Sequence, residues 1–389
     1  MILQLYLHFP FCKCKCLYCD FQSAAMPKEQ VSAYCEALEK EVRLMGKRYA
    51  GAQISTVFLG GGTPSIVPPQ EMRRVLKALH EAFEWLPFAE FTSEANPGTL
   101  SEEWLNVLSE QGLNRLSLGV QATQNHLLKA IGRIHTFEQA EQAVALARHC
   151  GIHNLNTDLM FGLPGQSLAD YLESIETVSA LQPEHISAYS LILEEKTPLF
   201  EMVQRGTVKL PEDDLAGEMF ARGIEALNAR GYQQYEVSNF AKQGYACKHN
   251  IGYWQGAWYL GLGLAAHSML PPENAEAAEP ALRLRRANTC DMHTYLTALH
   301  EDKLPIAQEE HIGAQEAMFE TMMLGLRMTA GVSEADFLHT FGKTLQSAYG
   351  GVLEGLVADG LALWRGDGRF TLTARGLEMQ NDVLLRLMK

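Results

Sequence analysis

The sequence predicts an α/β protein, a partial TIM-like barrel of about six βα units followed by a smaller C-terminal α+β module of winged-helix-like pattern. Strand-like and amphipathic helix-like stretches alternate over roughly the first 230 residues, recurring roughly every 30–40 residues, the rhythm that forces a parallel sheet. No GxGxxG follows the first strand, which makes a doubly wound dinucleotide-binding sheet the weaker reading. The residues that stand out chemically all fall at strand ends, where a barrel of this kind places its site.

The expected strands are Leu3–His8, Ser55–Leu59, Glu90–Glu94, Arg115–Gly119, Asn154–Met160 and His185–Leu191. Each is a short apolar or β-branched run bounded by turn residues. Between them the helical period appears in Lys28–Leu44, Pro69–Phe83, Glu102–Gln111, Thr136–Cys150 and Leu168–Leu181. After a helix ending near Arg230 the pattern breaks: Tyr235–Trp258 is aromatic and polar, and Pro271–Ala281 is a Pro/Glu/Ala-rich loop. From about His311 the chain turns helical, and Gly351–Lys389 reads helix, two short strands around Gly366–Gly368, then helix. The expected division is residues 1–235 for the barrel, 236–305 for a barrel extension and 306–389 for the C-terminal module, a packing or partner surface.

The 389 residues suffice for such a barrel plus an appendage, and 47% hydrophobic with 20% charged residues suits a real core. A net charge of −14 argues against a nucleic-acid partner, which needs a basic face. No stretch reaches the roughly 18 uncharged apolar residues of a membrane span. The opening MILQLYLHFPF has no basic n-region or cleavage site and reads as a first strand, so the expected compartment is the reducing cytoplasm. There the eight cysteines should not be disulfides. Four of them lie between Cys12 and Cys19, a clustering that points to a metal. Cys35, Cys150, Cys247 and Cys290 are scattered and are expected to be buried packing residues.

Cys12-Lys-Cys-Lys-Cys16-Leu-Tyr-Cys19 contains C-x3-C-x2-C. Three thiolates on one short loop can hold three corners of a cubane and leave the fourth iron open. Zinc on Cys12, Cys14, Cys16 and Cys19 is the competing reading, although so short a loop would struggle to wrap a tetrahedron. A redox pair at Cys16 and Cys19 is a third. Gly60-Gly-Gly-Thr-Pro64 follows the second strand, Glu94–Pro97 the third and Gln121 the fourth; Asp158 lies in the fifth and Ile192 ends the sixth. The glycine run is no P-loop, since no Gly-Lys-Ser/Thr follows it. Gly261-Leu-Gly263-Leu-Ala-Ala266 matches GxGxxA but lies outside any βαβ unit and is not read as a nucleotide site.

The cysteine motif followed by the glycine run resembles the radical S-adenosylmethionine (SAM) superfamily. The combination YLHFPFCKCKCLYCDF, GGGTPS, EANP, RLSLGVQ, GRIH and NTDLMFGLPGQ is similar to one branch of it, over at least residues 3–270. That branch holds the oxygen-independent coproporphyrinogen III dehydrogenases and their sister family, the heme chaperones. The resemblance implies a [4Fe–4S] cluster on Cys12, Cys16 and Cys19, with Cys14 a bystander. It implies SAM contacts from Gly61, Gly62 and Thr63, from Glu94 to the ammonium, and from Arg133 to the carboxylate. Gln121 and Asp158 would face the ribose, Tyr6 and Tyr18 would lie against SAM, and Ile192 would line the adenine. Each has a plainer alternative: a tight turn for the glycines, a solvated strand-end acid for Glu94, a helix-end surface arginine for Arg133, a structural hydrogen bond for Asp158, and barrel core for Tyr6, Tyr18 and Ile192.

Two departures separate the sister families. The dehydrogenases carry a further cysteine two residues after the third ligand, where this chain has Phe21, and an extension before the barrel that this sequence lacks. Both point away from porphyrinogen oxidation. His249-Asn250-Ile-Gly-Tyr253-Trp254 reads H-N-x-x-Y-W, resembling the heme-associated motif of the chaperones. Histidine is a common axial ligand of heme iron, and Tyr253 and Trp254 offer faces for a macrocycle. The alternative is an aromatic cluster capping the barrel, with His249 a satisfied core histidine; Cys247, His267 and His293 are rival ligands. The expectation is a heme-binding protein that passes heme to acceptor apo-hemoproteins, membrane-associated ones among them, with a homodimer allowed. The alternative is a radical SAM oxidoreductase acting on a tetrapyrrole.

Overall fold

The structure is a computed structural model and describes residues 1–272 and 282–388. Residues 273–281 of the expected Pro/Glu/Ala-rich loop lie outside the described residues. The barrel runs β1 (Ile2–Phe9), α1 (Lys28–Arg48), β2 (Gln53–Gly61), α2 (Pro69–Ala82), β3 (Glu84–Ala95), α3 (Glu102–Glu110), β4 (Arg115–Gln121), α4 (Asn125–Ala130), α5 (Phe137–His149), β5 (Leu155–Phe161), α6 (Leu168–Ala180) and β6 (His185–Ser190). Strands β1 to β6 pair in sequence order and all in parallel. The expected six-unit partial barrel is therefore present. Its helices begin where the sequence supplies caps: Ser101 accepts from the Trp104 N–H, and Thr136/Gln139 and Ser167/Asp170 form capping boxes.

Alternation along each strand separates two faces. In β1, Leu3, Leu5, Leu7 and Phe9 are fully buried in one apolar cluster with Leu38 and Val42 of α1. The intervening Gln4, Tyr6 and His8 face inward, as their bonds to other inner-face groups show. The same phase puts Thr56 and Phe58 of β2, Glu90 and Glu94 of β3, Ser117 of β4, and Asn156 and Asp158 of β5 inside. Burial of the outer set, at roughly 1.5–3 kcal/mol per large apolar side chain, holds the helices on; the inner set is left for chemistry. Strand β3 starts six residues before its expected first residue. Glu84 and Trp85 already pair with β2, ahead of an irregularity around Phe88, which is exposed with φ 64°.

Beyond β6 the chain continues as α7 (Pro198–Gln204), α8 (Asp213–Ala229), β7 (Gln233–Glu236), β8 (Asn239–Ala241), α9 (Lys248–Trp254), β9 (Tyr259–Leu262), β10 (His267–Leu270), β11 (Arg283–Asn288), α10 (Met292–His300) and β12 (Ile306–Ile312). None of these strands was foreseen. Strand β8 adds antiparallel to β6 with β7 outside it; β9 adds parallel to β1, and β10 to β12 extend that edge antiparallel. The barrel is thus one open sheet of twelve strands. The GxGxxA stretch is the end of β9 and the tight return into β10, where Gly261 lets the two backbones touch.

The C-terminal module follows as α11 (Ala314–Gly325), β13 (Val332–Ser333), α12 (Glu334–Phe341), α13 (Leu345–Ala358), β14 (Ala362–Trp364), β15 (Arg369–Leu372), α14 (Ala374–Glu378) and α15 (Gln380–Leu387). The small sheet orders β13-β15-β14, and the helix–strand–helix–helix–strand–strand order is that of a winged helix. It has its own core around Met322, Phe337, Leu356 and Phe370. It is tied to the barrel by backbone bonds from Val237 to Arg327 and from Thr329 to Tyr235, and by Glu320 of α11, which pairs with both Arg283 and Arg285 of β11. No described helix is long and apolar enough to cross a membrane.

A Cβ on Gly261 would lie 2.0 Å from the His267 carbonyl oxygen, whereas one on Gly366 would meet nothing within 4 Å. Gly261→Ala is therefore expected to cost roughly 1–3 kcal/mol by overpacking and Gly366→Ala far less, read as urea midpoints. Equal midpoints in the two variants would show that the β9–β10 approach does not constrain the fold.

Candidate functional site

The cysteine loop follows β1 and is pinned by backbone bonds on three sides. Cys12 N–H donates to Ala24, Leu17 N–H to Ile131, and Leu199 N–H to Leu17. Cys12, Cys16 and Cys19 are half-buried, and Cys14 is exposed. Two of the three expected ligands also receive a donor: Thr63 Oγ1 lies 3.6 Å from Cys12 Sγ, and the Arg133 guanidinium 3.5 Å from Cys16 Sγ. Burial holds the Cys19 thiol above its usual range, so a nearby cation, by stabilising the thiolate in place of the lost hydration, would favour release of its proton to solvent. Among the described residues no three His, Cys, Asp or Glu side chains converge on an ion-sized position. A single zinc requires thiolates about 2.3 Å away from it; a cubane takes each on a different iron and sets them farther apart.

The glycine turn closes onto this loop. Gly62 N–H bonds the Phe9 carbonyl at 2.8 Å and Thr63 N–H that of Phe11 at 2.6 Å. Gly61 has φ 102°, and a Cβ there would lie 2.4 Å from the His8 ring; one on Gly62 would lie 2.5 Å from the Phe11 carbonyl oxygen. These glycines serve the close approach of two strand ends, and a ligand could meet them only through their backbone groups.

Inside the rim stand two carboxylates without a tight cationic partner. Glu94 accepts from Gly61 N–H at 3.2 Å, and burial, then the charge of Asp158, push its carboxyl up to about 8. Asp158 accepts from Asn156 at 2.7 Å and Ser117 at 3.5 Å, and burial raises it too. Arg133 donates to the Gly119 carbonyl, and its Nε has no partner. Gln121 is held at φ 72°, strained for a non-glycine residue, and its Oε1 accepts from Tyr189 at 2.9 Å. Tyr6 contacts His8 Nδ1 at 3.0 Å and stacks on Phe58, while Tyr18 packs with Tyr189 and Met160. One position departs from expectation. β6 ends at Ser190, so Ile192 lies past the strand and is 65% exposed. Leu191 N–H closes the strand end on Phe161, which turns the chain outward there. Of the scattered cysteines, Cys35 and Cys247 are buried and Cys150 half-buried; Cys290, expected inside, is exposed because it sits in the turn between β11 and α10.

The rim residues fit SAM on this chemistry. Two half-buried acids lack a tight cationic partner that a bound cation would supply, and a half-buried arginine with an orphan Nε stands beside a cysteine.

The H-N-x-x-Y-W stretch lies at the other end of the barrel. Helix α9 plugs the N-terminal mouth. Glu90 accepts from the N–H groups of Lys248 at 2.9 Å and His249 at 3.0 Å and from Cys247 Sγ at 3.3 Å, a borrowed cap on a helix N-terminus. His249 is 1% exposed. Its Nδ1 contacts Thr56 Oγ1 at 2.6 Å and its Nε2 Tyr253 O–H at 3.0 Å, and its ring stacks on Phe58. Burial and then the Arg115 charge lower it to about 3, so it is neutral. Asn250, Tyr253 and Trp254 are half-buried. Trp254 lies under the Arg327 guanidinium of the C-terminal module, 4.6 Å from its ring centre.

With this geometry in place, similarity to known proteins sharpens the reading. Residues 6–178 match the radical SAM superfamily and residues 312–378 the HemN C-terminal domain. Over 97% of this chain and 97% of the relative, identity is 35% to the heme chaperone HemW of Bacillus subtilis.

The chain belongs to the heme chaperone HemW family.

The HemW of Escherichia coli is 41% identical over 68% of this chain and 69% of its own length. The solved structure of coproporphyrinogen III oxidase (HemN) from Escherichia coli has a TM-score of 0.83, covering 99% of this chain and 89% of that one; at 22% identity this shows the shared fold. Within the HemW family chain described here, several interior residues escaped sequence reading: Glu90, Arg115, Asn156 and Tyr189. Their signal was available, since each is the polar member of an alternating strand.

Glu94 holds its proton up to about pH 8 in the folded chain, against an ordinary value of 4.5. The folded state therefore binds a proton that the unfolded chain has lost between those values. In the cofactor-stripped protein, this group should make stability fall as pH rises through that window, by at most about 1.4 kcal/mol per unit. Glu94→Gln should remove the slope in urea midpoints; parallel profiles would mean that Glu94 is ionised inside the barrel.

Proposed function

We propose that this chain binds heme and passes it to acceptor hemoproteins, and that it carries a [4Fe–4S] cluster on Cys12, Cys16 and Cys19 with SAM held at Gly61, Gly62, Thr63, Glu94, Arg133, Gln121 and Asp158. The reading places it in the cytoplasm, with apo-hemoproteins as its protein partners. The observation that carries it is the full-length likeness to chaperones. Phe21 supports it from the site itself: 61% exposed, it stands where the porphyrinogen-oxidising sister family carries a further cysteine.

At the rim, the residues have separable tasks. Thr63 and Arg133 hold Cys12 and Cys16 by donating to their sulfurs. Asp158, and Glu94 once a cation displaces its proton, offer negative charge to that cation, and Gln121 is fixed by Tyr189. Bound SAM on a reduced cluster supplies one-electron chemistry. The completeness of this rim is the observation that favours the second reading, an oxidoreductase acting on a tetrapyrrole.

Protein reconstituted anaerobically is expected to hold about four irons and four sulfides per chain. Cys12→Ala, Cys16→Ala or Cys19→Ala should abolish this, and Cys14→Ala should not; a Cys14 as essential as the others would undo the ligand assignment. SAM binding should weaken by roughly 1.5–3 kcal/mol when Glu94 or Arg133 becomes alanine, as for loss of a hydrogen bond to a charged group. Calorimetry showing full affinity in both variants would remove them from the site. The functional test is heme transfer: hemin-loaded protein mixed with an apo-hemoprotein should lose its heme to it. Anaerobic conversion of coproporphyrinogen III would instead establish the oxidoreductase.

A further inference from the structure

Where the heme sits is a separate question, since His249 is enclosed with both ring nitrogens engaged. The barrel sheet does not close, and α11 covers the gap. Between them lies a cleft of about 450 Å³ whose wall is the inner face of β1, β9, β10 and β11 and whose cover is α11. That volume falls in the roughly 300–1,000 Å³ typical of small-ligand sites. Its lining is mostly apolar and aromatic, including Tyr253, Trp254, Tyr259, Met269 and Met323. Two members of the H-N-x-x-Y-W motif therefore face this cleft, although its histidine does not line it.

His267, the first residue of β10, lines the same cleft. It is exposed, and its ring has no hydrogen-bond partner among the described residues. The other candidate ligands are placed differently. Cys247 is fully buried against Glu90. His293 is exposed on α10 and does not line the cleft. At one edge of the cleft stand Arg283 and Arg285, with Glu320 their shared partner. Arg285 also pairs with Glu310 at 2.7 Å, so this edge is a balanced network of two cations and two anions beside an otherwise apolar lining.

Resting on the chaperone reading, we propose that heme lies in this cleft with His267 as an axial iron ligand and its faces against Tyr253 and Trp254. On this assignment the motif's histidine acts at a distance. It holds Tyr253 through its Nε2 and so positions the wall, whereas His267 touches the iron.

The test titrates the full-length protein with hemin, and separately with metal-free protoporphyrin IX, in wild type, His267→Ala, His293→Ala and Met323→Glu. His267→Ala should lose the wild-type Soret position and bind hemin at least tenfold more weakly, yet bind the metal-free porphyrin as wild type does. Met323→Glu, which puts a carboxylate in the cleft, should weaken both ligands, and His293→Ala neither. If wild type binds hemin and His267→Ala leaves its Soret band and affinity unchanged, the ligand assignment is wrong while the chaperone reading stands. Equal loss of both porphyrins in His267→Ala would likewise overturn ligation. No hemin binding by wild type would remove the chaperone reading itself.

Discussion

Three carboxylates, Glu90, Glu94 and Asp158, stand inside a barrel whose walls exclude most water, and each must recover the hydration it gave up. They do so in different ways, and the differences organise the molecule. Glu90 takes the N-terminus of α9, whose backbone N–H groups and helix dipole favour negative charge. Asp158 takes the side chains of Asn156 and Ser117. Glu94 takes one backbone N–H and keeps a raised affinity for its proton. Arg115, 2% exposed, acts electrostatically on both Glu94 and Asp158. The unmet demand is thus concentrated at Glu94, beside the glycine turn, where a cationic ligand can answer it.

The same arrangement gives the two mouths of the barrel opposite characters. At the N-terminal mouth the histidines are engaged at both ring nitrogens: His249 bonds Thr56 and Tyr253, and His185 bonds Asn156 and Tyr235. Removing one partner there would leave another buried polar group unsatisfied, at a cost of about 1–3 kcal/mol. That mouth is a plug. At the C-terminal mouth the half-buried cysteines, the orphan Arg133 Nε and the strained Gln121 are all costly features of the chain alone, and strain of this kind persists where the surroundings impose it.

Much of this was legible. The six βα units were readable because each strand exceeds five residues and each intervening helix repeats its apolar positions, so period and length agree. The gathering of Cys12–Cys19, Gly60–Thr63, Glu94, Gln121 and Asp158 at one mouth followed from the rule for parallel strands alone. Strands β7 to β10 were not legible, for they have three or four residues each, too few to show a period. Nor could sequence choose between the two accounts of His249, because the atom that engages its Nδ1 belongs to Thr56, 193 residues away. Ile192 failed for a smaller reason: the apolar run Leu191–Leu193 continues past the point where backbone pairing stops at Ser190.

Tyr6 and His8 connect these separate regions. Both line the lateral cleft, and His8 is also the ring against which Gly61 packs at the rim. One inner face of β1 is thus shared by the cleft and the glycine turn. Its two residues bond each other, and His8 Nε2 is held by the Gln22 carbonyl just beyond the cysteine loop. A ligand pressing on Tyr6 from the cleft would bear on a chain of contacts that ends two residues from Asp20 and three from Cys19. The opposite wall is set by α11, which Glu320 fastens to β11 while Arg327, just past its end, caps Trp254. The cleft therefore has one wall continuous with the cofactor rim and another belonging to the C-terminal module. Any occupant is in a position to sense both; under the proposed carrier reading, this is a physical reason for the cysteine loop and the winged helix to be kept in one chain.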